Sequence, residues 1–205
     1  MPHSYDAVLS PTSLPLAQAI DAVDQTFDAS EITFSGELYR LNNSNGTPSV
    51  AAAEPTPVAD IDEISGMAAR WWGVSLGGWW KDAGEIYVRL FKSQSSGWNV
   101  VYNETATAYR SRVRDPEKAD NLCRFLLQLC GGLGSSICIY DQESVDGFHE
   151  ATPELAARIL QSRRFPSGGY DGILIVDRTL IDSNLTLPGA VSTSGRLVLN
   201  LLKGV

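Results

Sequence analysis

Apolar residues recur at helical spacing through residues 13–28, where Leu16, Ile20, Val23 and Phe27 fall on one face behind the cap candidates Thr12 and Ser13. Asp21, Asp24 and Asp28 share another face of that helix. The period then shortens to two. In 31–41, Ile32, Phe34 and Leu38 point one way and Glu31, Thr33 and Glu37 the other, the pattern of a half-buried strand. Residues 42–60 keep neither period: turn formers, prolines and small side chains predict a long loop or disordered insert.

Alternation returns in 85–91, with Ile86, Val88 and Leu90 on one face, and in 98–109, and the intervening SQSSG predicts an antiparallel hairpin. Carried into 110–114, the same period puts Arg110, Arg112 and Arg114 in one row on a strand face. Asp115 and Pro116 supply an N-cap and first-turn proline for a helix whose stripe is Leu122, Phe125, Leu126 and Leu129, with Gly131 and Gly132 as its expected stop. A strand Ile137–Tyr140, a helix opened by Thr152-Pro153-Glu154 and running to about Ser162, and strands Ile173–Val176 and Leu197–Leu202 follow. The expected class is α+β, with helices packed on one face of a largely antiparallel sheet, in a single domain of residues 1–205.

Charge adds an asymmetry that the element pattern does not contain. Residues 1–66 carry ten acids against one base, Arg40, while the remainder carries fifteen bases and fourteen acids, so the formal charge of −8 arises in the first third. Such a field bears on partners and association rates. It favours a cationic partner over nucleic acid, whose recognition requires a basic footprint. No basic-then-apolar leader and no apolar run of transmembrane length is present, and the expected location is cytosolic, with no membrane partner. Cys123, Cys130 and Cys138 form no CxxC pair and are expected as buried thiols.

Four of the five tryptophans lie in Trp71-Trp72-Gly73-Val74-Ser75-Leu76-Gly77-Gly78-Trp79-Trp80. Its GVSLG core resembles the nucleophile elbow of the α/β-hydrolase family. That resemblance implies Ser75 as nucleophile, Asp146 or Asp141 as the orienting acid and His149 as base, in an esterase-like serine hydrolase. The flanking residues point elsewhere: Ala68-Ala69-Arg70 is a poor buried strand, and the glycines weaken a following helix, so a glycine-rich turn between aromatic core elements is expected. Asp141, Glu143, Asp146, His149 and Glu150 offer oxygen and imidazole donors, but without EF-hand spacing, and no metal or cofactor is assigned.

The expected function is therefore binding of another protein, in the manner of an immunity protein or inhibitor that masks a basic partner. Asp21, Asp24 and Asp28, together with Asp60, Asp62 and Glu63, would steer that partner, and Trp71, Trp72, Trp79 and Trp80 would supply desolvated anchors. The alternatives are the Ser75 hydrolase and an accessory subunit of a larger assembly.

Overall fold

A computed structural model describes residues 4–44, 47–50, 56–57, 71–93, 97–142, 150–181 and 189–202. In chain order the elements are β1 (Ser4–Thr12), α1 (Leu16–Ala29), β2 (Ile32–Ser44), β3 (Thr47–Val50), β4 (Thr56–Pro57), β5 (Gly73–Trp80), β6 (Gly84–Lys92) and β7 (Trp98–Thr105). They continue as α2 (Ala106–Arg114), α3 (Pro116–Leu133), β8 (Ile137–Gln142), α4 (Pro153–Ser162), β9 (Ile173–Asp177), a 3-10 turn at Arg178–Leu180, β10 (Ala190–Thr193) and β11 (Arg196–Asn200).

All described strands join one sheet in the order β10, β11, β9, β8, β1, β7, β6, β5, β2, β3, with β4 also on β2, and every pairing is antiparallel. The α+β class with an antiparallel sheet is as expected. Helices α1 and α3 pack on one face, their apolar stripes (Ile20, Val23, Phe27; Leu122, Phe125, Leu129) closing on Val74, Leu76, Val88, Leu90 and Tyr102. Burying such a side chain contributes about 1.5–3 kcal/mol each. Helix α4 lies on the opposite face. The alternation of β8 and β9 shows why: Cys138, Tyr140, Ile173 and Ile175 join the α1/α3 core, while Ile137, Ile139, Leu174 and Val176 meet Ile159 and Leu160 of α4. Strands covered on both sides read as unbroken apolar runs.

Three strands had no clear period in the sequence. The central strand β1 turns Tyr5, Ala7 and Leu9 inward, with Ala7 registered against both Tyr102 and Tyr140. Strand β5 occupies the segment read as a glycine-rich turn. Its glycines accommodate close neighbours, since a Cβ on Gly78 would stand 2.7 Å from Ile32 Cγ2 and 3.1 Å from the Phe27 ring. β2 runs on to Ser44 and pairs with β3 and β4, so part of the expected 42–60 loop belongs to the sheet.

Helix ends also differ from expectation. α1 begins after Pro15 without a side-chain cap. Thr12 instead donates to Leu133 O at 2.6 Å and accepts from Leu14 N, tying β1 to the end of α3. α3 runs through Gly131 and Gly132 and stops at Gly134, whose φ of +64° is the left-handed C-cap that glycine adopts without strain. The caps Asp115 and Thr152 act as expected, accepting from Glu117 N and Leu155 N. Among the described residues, no helix is long and apolar enough to cross a membrane.

Candidate interaction surface

The predicted site residues do not converge. Asp21, Asp24 and Asp28 line one side of α1; the first two are half-buried and the third exposed. Their spacings of three and four make neighbouring like charges. The Asp24 carboxyl is pushed above its usual range, first by burial and then by Asp28 and Asp21, and no cation is among its electrostatic neighbours. Asp60, Asp62 and Glu63 lie outside the described residues.

The tryptophans are divided by the two faces of the sheet. Trp80 is 2% exposed in the α1/α3 core, Trp71 packs beside that core, and Trp72 stacks on Phe91 with ring centroids 5.0 Å apart on the opposite face. Trp79, next to Trp80 in the strand, points the other way and is 64% exposed. The expected helical pairing of Trp72 with Trp79 does not occur, and Trp80 is unavailable as a surface anchor.

Ser75 sits in the middle of β5 with no exposed surface, and its hydroxyl has no hydrogen-bond partner. The strand leads by a turn at 81–83 into β6 rather than into a helix, so the elbow geometry is absent. Asp146 and His149 lie outside the described residues, as do Glu143 and the rest of 143–149. Asp141 is described and is fully used: it accepts from Ser167 N and Ser167 Oγ at 2.7 Å each, pinning the loop after α4. Among the described residues no three His, Cys, Asp or Glu side chains gather as a metal site. The three cysteines are free and buried.

The arginine row is also dispersed. Thr105 accepts from Ala108 N and starts α2, so Arg110, Arg112 and Arg114 follow a helical period that sends Arg112 away from its neighbours. Arg110 and Arg114 are exposed, whereas Arg112 is buried against α3 and β7. Its guanidinium lies 2.9 Å from Glu104 Oε2, stacks over Trp80 with 4.4 Å to the ring centroid, and donates to Lys118 O. Tyr102 and Tyr140 donate to the same carboxylate at 2.5 and 2.6 Å. Both phenols are driven well above their ordinary pKa, first by burial and then by the Glu104 charge.

On the opposite face, β2, β5 and β6 display a second aromatic and acidic group. Trp79 stands directly across from Glu85, and its ring reaches over Gly84, 3.8 Å from where a Cβ would be. Tyr87 donates to Glu85 at 2.5 Å and Tyr39 donates to Glu37 at 3.2 Å. The two tyrosine rings meet edge to face at 6.4 Å. Sequence reading singled out only Trp79 of this set. The signal for Glu85 and Tyr87 was present, because they are the polar positions that alternate with Ile86 and Val88.

A cleft of about 300 Å³ opens between α1, α3 and the 81–83 turn. Its polar groups already bond one another: Lys81 with Glu31 at 2.5 Å, and Asn121 with Asp82 at 2.7 Å. With acids and bases both on its walls, it presents no single charge to select a ligand. Comparison with protein-family models, curated proteins and solved structures finds no match to this chain.

Proposed function

We propose that the protein acts by binding another protein through a basic surface of that partner, in the manner of an inhibitor or immunity protein. The observation that carries this reading is the clustering of Asp21, Asp24 and Asp28 on one side of α1, with Asp24 disfavoured as an anion by burial and by its two neighbours. Like charges at these spacings cost a helix about 0.2–0.5 kcal/mol per pair. A stability cost retained on a solvent-facing helix side is the expected trace of a binding role. Negative potential concentrated there accelerates encounter with a cationic surface, an effect that salt screens.

The experiment is association kinetics of the wild type and of the Asp21→Lys/Asp24→Lys/Asp28→Lys variant with the partner captured from the native host. The association rate of the variant should fall by roughly tenfold or more at low ionic strength, and the difference should shrink as salt is raised. Equal association rates at low salt would remove the basis for the proposal.

A further inference from the structure

Resting on the reading of a basic partner, we infer that Trp79, Glu85 and Tyr87 form the seat for an arginine side chain of that partner. The chain builds this combination of groups twice. In the interior, the Arg112 guanidinium stacks over Trp80 and pairs with Glu104, and Tyr102, two residues away on the same face of β7, donates its hydroxyl to that carboxylate at 2.5 Å. On the opposite face, Trp79 is registered against Glu85, and Tyr87, two residues away on the same face of β6, donates to Glu85 at 2.5 Å. Indole, carboxylate and orienting phenol recur in both. The inner set encloses a guanidinium, whereas among the described residues no cation lies over Trp79.

Neighbouring bases do not supply one. Lys81 is paired with Glu31. Arg89, on the same face of β6, is half-buried and itself engaged. An indole that is 64% exposed beside a carboxylate presents a ring face and an anion to one cation. Glu85 keeps acceptor capacity, because a carboxylate has about four lone-pair sites and the Tyr87 hydroxyl uses one. Arginine is favoured over lysine because its plane can stack on the ring while its fork reaches the carboxylate. Tyr39 and Glu37 extend the same chemistry along the face.

The test uses fluorescein-labelled hexa-arginine and hexa-lysine peptides, with affinity read by anisotropy and the site mapped by the Trp79 indole and Glu85 amide resonances. Hexa-arginine should bind more tightly than hexa-lysine and shift both resonances. Trp79→Ala should weaken it by roughly 2- to 30-fold, and Glu85→Gln by about 2- to 5-fold, with circular dichroism confirming the fold. Wild-type affinity in both variants, or lysine binding as tightly as arginine, would overturn the inference. If reversal of Asp21, Asp24 and Asp28 abolishes peptide binding while Trp79→Ala leaves it intact, the arginine seat falls and the basic-partner reading stands. If hexa-arginine binds neither surface at low salt, both fall.

Discussion

Replacing Glu104 by glutamine should be among the most damaging single substitutions in the chain. Glu104 is 3% exposed, and Arg112, Tyr102 and Tyr140 around it are fully buried. Its two oxygens receive Arg112 Nε at 3.0 and 2.9 Å, Arg112 Nη2 at 2.9 Å, and the two tyrosine hydroxyls. Glutamine keeps the volume but removes the charge and converts one acceptor into a donor facing donors. Arg112 is then a buried cation without its counter-ion, a defect that costs about 3–5 kcal/mol. Against a total stability of about 5–15 kcal/mol, that corresponds to a fall in Tm of roughly 6–20 °C for a chain of this size. Tyr140→Phe, which removes one charge-assisted hydrogen bond and leaves the ion pair, should cost about 1.5–3 kcal/mol. Guanidinium unfolding followed by tryptophan fluorescence measures both. The double variant Glu104→Met/Arg112→Met should recover much of the loss, because no uncompensated charge remains. The reasoning is refuted if Glu104→Gln costs under about 1 kcal/mol, the value of an exposed pair, or if the double variant is worse than the single.

Further outcomes follow from the same side chains. Tyr102 and Tyr140 are held protonated in the fold, and Tyr87 is pushed up to about 12 by burial and by Glu85. Stability from these raised pKa values is whole below the unfolded phenol value of about 10 and is lost as pH climbs through the folded values. Phenolate absorbance from Tyr102 and Tyr140 should appear together with loss of secondary structure, and titration of all seven tyrosines near pH 10 in an intact fold would contradict this. Ser75→Ala should leave stability unchanged or raise it by up to about 1 kcal/mol, because the buried hydroxyl it removes has no partner. A fluorophosphonate probe should fail to label Ser75, whereas labelling lost in Ser75→Ala would revive the hydrolase alternative. Asp24→Asn removes two like-charge contacts and should stabilise by about 0.4–1 kcal/mol in low-salt melts. Because the folded pKa of Asp24 is raised, its cost is present above the unfolded value, and the gain should fade as pH falls into the acidic range.

Legibility followed the strength of local signals. Helices α3 and α4 were readable to within a few residues, since Asp115-Pro116 and Thr152-Pro153 combine a cap with a first-turn proline and a periodic apolar stripe follows each. Strand β6 was readable from Ile86, Val88 and Leu90. Strand β5 was not, because glycine carries no periodic signal and its close approach to Phe27 and Ile32 exists only once α1 is docked. The arginine row failed at Thr105, where a β-propensity run becomes an N-cap and the period changes from two to 3.6.

The amino-acid order by itself determined the amphipathic stripes, the capped helix starts, the antiparallel hairpin and the excess of acid in the first third. Only the tertiary structure decided which face each strand shows, that α4 covers the side opposite α1 and α3, that Arg112 is an interior cation, and that Trp79 alone of its tryptophan cluster reaches well into solvent. Period and composition act over a few residues of chain. Burial and ion pairing depend on strands brought together from distant positions, as when Glu104, Arg112 and Tyr140 meet around one carboxylate.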